Sequence, residues 1–220
     1  MANKQKLIPR IYNKFVRTFH PINENRQVYE RKEFSRKCSR ALLKDINLMK
    51  RKHPDIIVMY MHAGGQYNNE ATQDTKKLAN YLMKQGVDIV VGSHEHVVHG
   101  GDFSNISGGK LATYSLGNFD GIAGVYDEPF DKMAEYSIAW HIYFDKEDKK
   151  VKIENSTYSI LKSIALENGG IKTVPLYDLI NSETDDEVKN ELWKDMKKIA
   201  FKFSGSDISE SGLLNEYNLF

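Results

Sequence analysis

Two segments of this chain share one grammar, and together they restrict the fold more than any other feature. Asp55-Ile56-Ile57-Val58-Met59-Tyr60-Met61 is an acidic residue followed by an apolar run, and it ends in His62-Ala63-Gly64-Gly65. Asp88-Ile89-Val90-Val91-Gly92 repeats that plan and runs into Ser93-His94-Glu95-His96-Val97. β-Branched residues fit extended chain, so both runs read as buried strands, and glycine at each end suits a sharp turn or a close approach. Between them, Thr72 to Gln85 reads as a helix: Thr72 caps it, Asp74 suits its first turn, and Gly86 ends it. Ala71, Thr75, Leu78 and Leu82 fall on its inner face. A strand-helix-strand order predicts a right-handed crossover between parallel strands. His62 is therefore expected beside His94 and His96, although about thirty residues separate them.

That convergence gives the histidines their interest. Ligand sites of open α/β sheets form at the carboxyl ends of the strands, and a His-x-His pair there can direct two rings to one metal. The plainer reading of a lone pair is one surface histidine, and His62 is the residue that weighs against it. Metal-ligating candidates are thus His62, His94 and His96. Gln66, Glu95, His99 and Asn118 are candidates for orienting them. Asn118 equally suits a plain Gly-Asn turn, His99 a surface position, and His141, alternating with apolar neighbours, the solvent side of a strand.

The remaining patterning is regular. Residues 1–29 form a poorly patterned amino-terminal segment, with His20-Pro21 as a turn signal. Glu30 to His53 reads as a helix with Phe34, Cys38, Ala41 or Leu42, Ile46 and Met49 inward and Pro54 beyond its end. Lys110 to Ser115 is a third strand. Glu135 to Phe144 and Val151 to Ile160 read as an antiparallel pair around the charged loop Asp145 to Lys149. Thr184 and Glu187 make a capping box for a helix that carries Val188, Leu192, Met196, Ile199 and Phe203 on one face, bordered by Trp193. The stretch from Ser204 to Phe220 reads as a mobile tail.

Composition excludes several classes. With 220 residues the chain suits one domain, which would bury about 70 per cent of its unfolded surface. Thirty-one basic against thirty acidic residues give no electrostatic case for nucleic acid. Lys50-Arg51-Lys52-His53 reads as a solvated helix end. Cys38 is the sole cysteine, so no intrachain disulfide or thiolate cluster forms, and its helical neighbours suggest packing. There is no stretch of about 20 apolar residues for a membrane helix and no secretory signal at the start.

Three ordered motifs carry a family likeness: His62-Ala63-Gly64-Gly65-Gln66-Tyr67, Gly92-Ser93-His94-Glu95-His96-Val97 and Tyr114-Ser115-Leu116-Gly117-Asn118-Phe119. Over residues 38–122 the chain resembles the CapA/PgsA bacterial capsule proteins, which take part in poly-γ-glutamate capsule synthesis. Ala63, Gln66, Ser93 and Glu95 stand where that family has an aromatic residue, a glutamate, a histidine and a proline. Its Gly-Asp, Asn-x-Glu and Asn-Asn-His motifs are not found upstream of His62. The resemblance implies an α/β chain, part of a calcineurin-like metallophosphoesterase α/β/β/α sandwich lacking the amino-terminal half. On that reading residues 30–165 are the CapA-like domain and 166–220 a carboxy-terminal helix and tail.

The resemblance further implies a divalent metal, Zn, Mn or Fe, with two ions in a complete protein. Its histidines would form a partial site. It implies as partners an amino-terminal half or another capsule-synthesis subunit, or a second copy, and relatives are often membrane-anchored facing outside. Capsule poly-γ-glutamate biosynthesis is thus the leading expectation. A metal-dependent hydrolase of a phosphoester or a glutamyl-polymer amide is the second, and a non-catalytic fragment that binds a partner subunit is the third.

Overall fold

The computed structural model describes residues 32–120, 132–147 and 150–220, with the side chains of its first helix from Ser39 onward. The amino-terminal segment 1–29, the inward placement of Phe34 and Cys38, and the end of the Asp145 to Lys149 loop lie outside the described residues. Helix α1 (Lys32–Lys50) precedes strand β1 (Val58–His62), helix α2 (Gln73–Lys84) and strand β2 (Ile89–Ser93). β3 (Val98–Asn105) and β4 (Lys110–Leu116) complete a first sheet of order β1-β2-β4-β3. β1, β2 and β4 run parallel and β3 antiparallel. The predicted strand-helix-strand unit is therefore present. Thr72 caps α2 by accepting from the Thr75 N–H, as expected.

α1 and α2 bury their apolar stripes on one face of this sheet. Ile46 from α1 and Ala79, Leu82 and Met83 from α2 pack with Ile57, Met61, Val90 and Ala112. Each fully buried aliphatic side chain contributes roughly 1.5–3 kcal/mol relative to an exposed one. Met49, expected inward, is exposed, because the stripe leaves the sheet one turn after Ile46. β1 is an edge strand rather than a strand buried on both faces. Met61 points into the core, whereas Val58 and Tyr60 alternate outward and are 57% and 65% exposed.

The second sheet is built on β5 (Tyr136–Glu147) and β6 (Lys150–Ala165), a long antiparallel hairpin, with β7 (Ile171–Pro175) and β8 (Tyr217–Asn218) paired to β6. A bridge between Gly117 and Ser137 ties the end of β4 to the start of β5. Helices α3 (Leu176–Ser182) and α4 (Asp186–Ser204) follow β7. Leu192, Met196, Ile199 and Phe203 of α4 pack with Val98, Tyr136, Ile138 and Tyr158, so the chain beyond residue 166 shares a core with the strands before it. Among the described residues no helix is long and apolar enough to cross a membrane.

Three sequence expectations need correction here. The cap of α4 is Asp185, not Thr184: its carboxylate accepts from the N–H groups of Glu187 and Val188 at 2.9 and 3.2 Å, and Val188 itself is exposed. The stretch after Ser204 is anchored rather than mobile. Tyr217 and Leu219 are buried in the α4 core, and β8 adds backbone pairing. Gly92 does not make the turn before the histidines. It lies within β2 with ordinary backbone, and a Cβ there would stand 2.1 Å from the Tyr114 carbonyl oxygen and 2.6 Å from that of Thr113.

Gly92 is therefore a packing glycine that lets β4 close on β2. Gly92→Ala should lower stability by about 1–3 kcal/mol or more through overpacking. Denaturant unfolding measures it, and a loss within roughly 0.5 kcal/mol, the range of a neutral surface change, would contradict this packing.

Candidate functional site

Parallel pairing in register sets His62, the last residue of β1, opposite Ser93, the last residue of β2. The chain then turns sharply through His94-Glu95-His96, at the carboxyl edge of the sheet where the strand order predicts a site. His62 Nε2 lies 2.9 Å from His94 Nδ1, one of the two nitrogens carrying the shared proton, and the ring centroids are 4.5 Å apart. His62 Nδ1 is 3.0 Å from the Ser93 hydroxyl, and the His94 and His96 centroids are 6.2 Å apart. The structure thus brings the three expected histidines together.

The turn holding them is strained. Among the described residues, the non-glycine positions with positive φ are His53, Tyr67, His94 and His96, and the last three belong to this site, with φ of 56°, 106° and 61°. Such backbone costs about 1–3 kcal/mol per residue and persists where surrounding contacts over-determine it. Those contacts are present. Tyr67 donates its N–H to the Glu95 carbonyl at 2.8 Å, and its ring stacks on His96 at 5.1 Å and 14°.

Asn118 orients a ring rather than merely filling a turn. Its Nδ2 donates to the Ala134 carbonyl at 3.0 Å, which leaves Oδ1 to accept from His96 Nδ1 at 2.8 Å. The His96 proton is thereby held on Nδ1, and Nε2 keeps its lone pair. Glu95 is fully buried, with its carboxylate packed against Gly64. A Cβ on Gly64 would lie 1.8 Å from Glu95 Oε1, and φ of +122° there excludes most side chains independently. His99 is buried on β3, not at the surface. Its Nε2–H donates to the Asn68 carbonyl at 2.8 Å, and its Nδ1 stands 3.9 Å from Glu95 Oε1.

Gln66 is exposed. His141 is half-buried rather than on the solvent side, with Nε2 3.4 Å from the Ser159 hydroxyl. Sequence reasoning assigned no part to Ser93, Tyr67 or Asn68. Ser93 was legible only as the residue paired with His62, and the other two only as neighbours of the first histidine motif.

The donor chemistry suits a partial metal shell. Neutral imidazole binds Zn²⁺ at about 2.0–2.1 Å, and two nitrogens on a tetrahedral ion would be roughly 3.3 Å apart. His62 Nε2 and His94 Nδ1, at 2.9 Å, are spaced as a hydrogen-bonded pair, so the two rings would have to part slightly to take an ion between them. The count falls short: among the described residues, no group of three or more histidine, cysteine, aspartate or glutamate side chains is arranged to hold a metal ion.

Burial lowers the pKa of His99 below the ordinary 6.5, opposed by its bond to Asn68; nearby Lys202 lowers it further, Glu70 raises it and Lys76 lowers it. A histidine with a depressed folded-state pKa leaves stability intact above about pH 6.5, where both states are neutral. As pH falls below that value the unfolded chain takes up the proton first, so stability is lost toward the lower folded pKa. His99→Gln keeps a donor for Asn68 without titrating. Denaturant unfolding between pH 7 and 5 (about the range in which histidine titrates) should show a steeper loss in the wild type than in this variant, and parallel profiles would contradict the buried neutral imidazole.

Known proteins resemble the same segment of the chain. Residues 12–121 match the family described as bacterial capsule synthesis protein PGA_cap, a span that includes all three histidines and Asn118. The chain is 39% identical over 69 residues to the PGA biosynthesis protein CapA of Bacillus subtilis (strain 168), covering 31% of this chain and 17% of that protein. It is 35% identical over 82 residues to the capsule biosynthesis protein CapA of Bacillus anthracis, covering 36% and 19%. The chain therefore aligns with less than a fifth of either relative's length. With half of its residues matched and the matched motifs folded into one strained cluster, the chain belongs to the bacterial capsule synthesis protein PGA_cap family.

Proposed function

We propose that the protein acts in bacterial capsule biosynthesis, in making or exporting poly-γ-glutamate. The observation that supports this most is the imidazole cluster at the carboxyl edge of β1 and β2, inside the segment that matches the family. Strained backbone at His94 and His96 is costly for stability, and its concentration at one cluster of polar rings favours a role in function.

His62 and His94 would hold a divalent ion through the two nitrogens that face each other, and His96 would present Nε2 because Asn118 occupies its Nδ1. Such an ion, when bound, polarises a phosphoryl or carbonyl oxygen and acidifies water. A metal-dependent hydrolysis of a phosphoester or a glutamyl amide is the second reading, favoured by that pair of nitrogens. In either case the protein's own work is to fix ring orientation. Ser93 and Asn118 hold His62 and His96, and Tyr67 covers one face of His96.

Two outcomes are expected. Calorimetry should detect Zn²⁺ or Mn²⁺ uptake that disappears in the His94→Ala, His96→Ala double variant while its circular dichroism is unchanged; equal uptake by both proteins would refute ligation by this cluster. In a capsule-forming Bacillus whose CapA carries the aligned segment of this chain in place of its own, poly-γ-glutamate production should persist, and the same double substitution should abolish it. Full production by the substituted chimera would remove the cluster from capsule biosynthesis.

A further inference from the structure

Exposed strand edges invite pairing with another chain, and proteins blunt them with bulges, charges, proline or a covering element. Among the described residues, the edges differ in this respect. β3, one edge of the first sheet, has a register break between Asp102 and Asn105, and the end of α4 lies so close that a Cβ on Gly100 would stand 2.9 Å from the Lys202 carbonyl oxygen. In the second sheet, β5 has a register break after Tyr143 and ends in Asp145-Lys146-Glu147, β7 carries Lys172 and Pro175, and β8 is only two residues long. β1, the other edge of the first sheet, reads Val58-Met59-Tyr60-Met61-His62, with no lysine, acidic residue, proline or bulge. We propose that this edge pairs with β1 of a second copy of the chain, in antiparallel register about a two-fold axis at Met59.

The backbone suits that register. The Ile57 carbonyl accepts from the Ile89 N–H, and the Ala63 N–H donates to the Ser93 carbonyl, so odd-numbered residues from 57 to 63 turn their polar groups toward β2. By alternation, Val58 and Tyr60 turn theirs to the open edge. With Met59 on the axis, Val58 stands opposite Tyr60 of the second copy, and each such pair exchanges both N–H···O bonds, as hydrogen-bonded pairs of an antiparallel ladder do. The side chains fit as well. Val58 and Tyr60 are exposed on the sheet face away from the helices, where the isopropyl group of one copy would pack on the ring of the other as a cross-strand pair.

Self-complementarity and charge favour a second copy over a foreign strand. The two outward residues pair with each other, so one edge satisfies another of its own kind. The formal net charge is +1, so two copies repel little. Lys50 packs on Gly86, just before β2, and begins the exposed run Lys50-Arg51-Lys52 at the amino edge of the sheet. Antiparallel pairing sends the runs of two copies to opposite ends of the interface. A strand pair alone falls short of the roughly 1,200 Å² of a stable interface; the α1 helices, on one face of the shared sheet, would add exposed Leu48 and Met49. The imidazole clusters then open in opposite directions, and the pairing depends neither on a metal nor on the capsule role.

Light scattering of the full chain over a concentration series tests this, together with disulfide trapping in a Cys38→Ser background. The chain should form a concentration-dependent dimer. Tyr60→Lys places a charge on the edge at an exposed position; it should raise the dimer dissociation constant by about tenfold or more, roughly 1.4 kcal/mol, with unchanged circular dichroism. Val58→Cys combined with Tyr60→Cys should trap a covalent dimer under mild oxidation, because residues of a hydrogen-bonded pair have Cα atoms about 5.5 Å apart, within disulfide reach. Neither substitution alone should do so, because like residues of the two copies lie on a diagonal of about 7–8 Å, beyond that reach. A monomer at every soluble concentration would assign the edge to a different polypeptide and overturn the proposal. So would a dimer that Tyr60→Lys leaves unchanged, or one from which the double variant traps nothing.

Discussion

In-register parallel pairing of β1 with β2 is the constraint on which the rest depends. Because side chains alternate along a strand, a slip of one residue would turn His62 onto the helix-covered face and Met61 onto the open one. The register is held from both ends. At the amino end Asp88 accepts the Ile57 N–H at 2.8 Å, and at the carboxyl end Ala63 donates to the Ser93 carbonyl at 3.1 Å. Met61, Val90 and Ala112 under α1 and α2 lock the same alignment through burial. Gly92 allows β4 to approach, which in turn brings Gly117-Asn118 to the edge where His96 turns.

Backbone strain and packing oppose each other at that edge. The second core, formed by α4, β5 and β6, is tied to the first sheet through β3 and the Gly117–Ser137 bridge. It also supplies the Ala134 carbonyl that sets the Asn118 amide, and through it the His96 tautomer. The turn just before β5 thus reaches the imidazole cluster, through Asn118, without contributing a histidine. The positive-φ turn is tolerated because stacking by Tyr67, the Asn118 bond and burial of Glu95 against Gly64 each favour the same backbone.

Much of this was legible in the residues. Long periodic segments carried the strands and helices of the strand-helix-strand unit, the β5–β6 hairpin and α4, and the repeated strand-His-Gly order placed three histidines together. β3 was not legible, because Val98-His99-Gly100-Gly101 has too little β-branched character, and its extended state comes from pairing with β4. The anchored tail was missed for a related reason: Tyr217 and Leu219 are isolated apolar residues whose burial is decided by a core assembled far away in sequence. At the site, the side-chain types pointed to imidazole chemistry, but the partners Ser93, Tyr67 and Asn68 follow from register and turn geometry, which spacing alone does not specify.

Long-range ¹⁵N NMR of the histidine side chains measures most directly whether a strained turn gathers His62, His94 and His96 into one hydrogen-bonded cluster. In the metal-free protein it should report a proton shared between His62 Nε2 and His94 Nδ1, and His96 protonated on Nδ1. Added Zn²⁺ should displace the shared proton and move both facing nitrogens together. Three rings titrating as independent exposed imidazoles, with nitrogen shifts unmoved by Zn²⁺, would contradict the account.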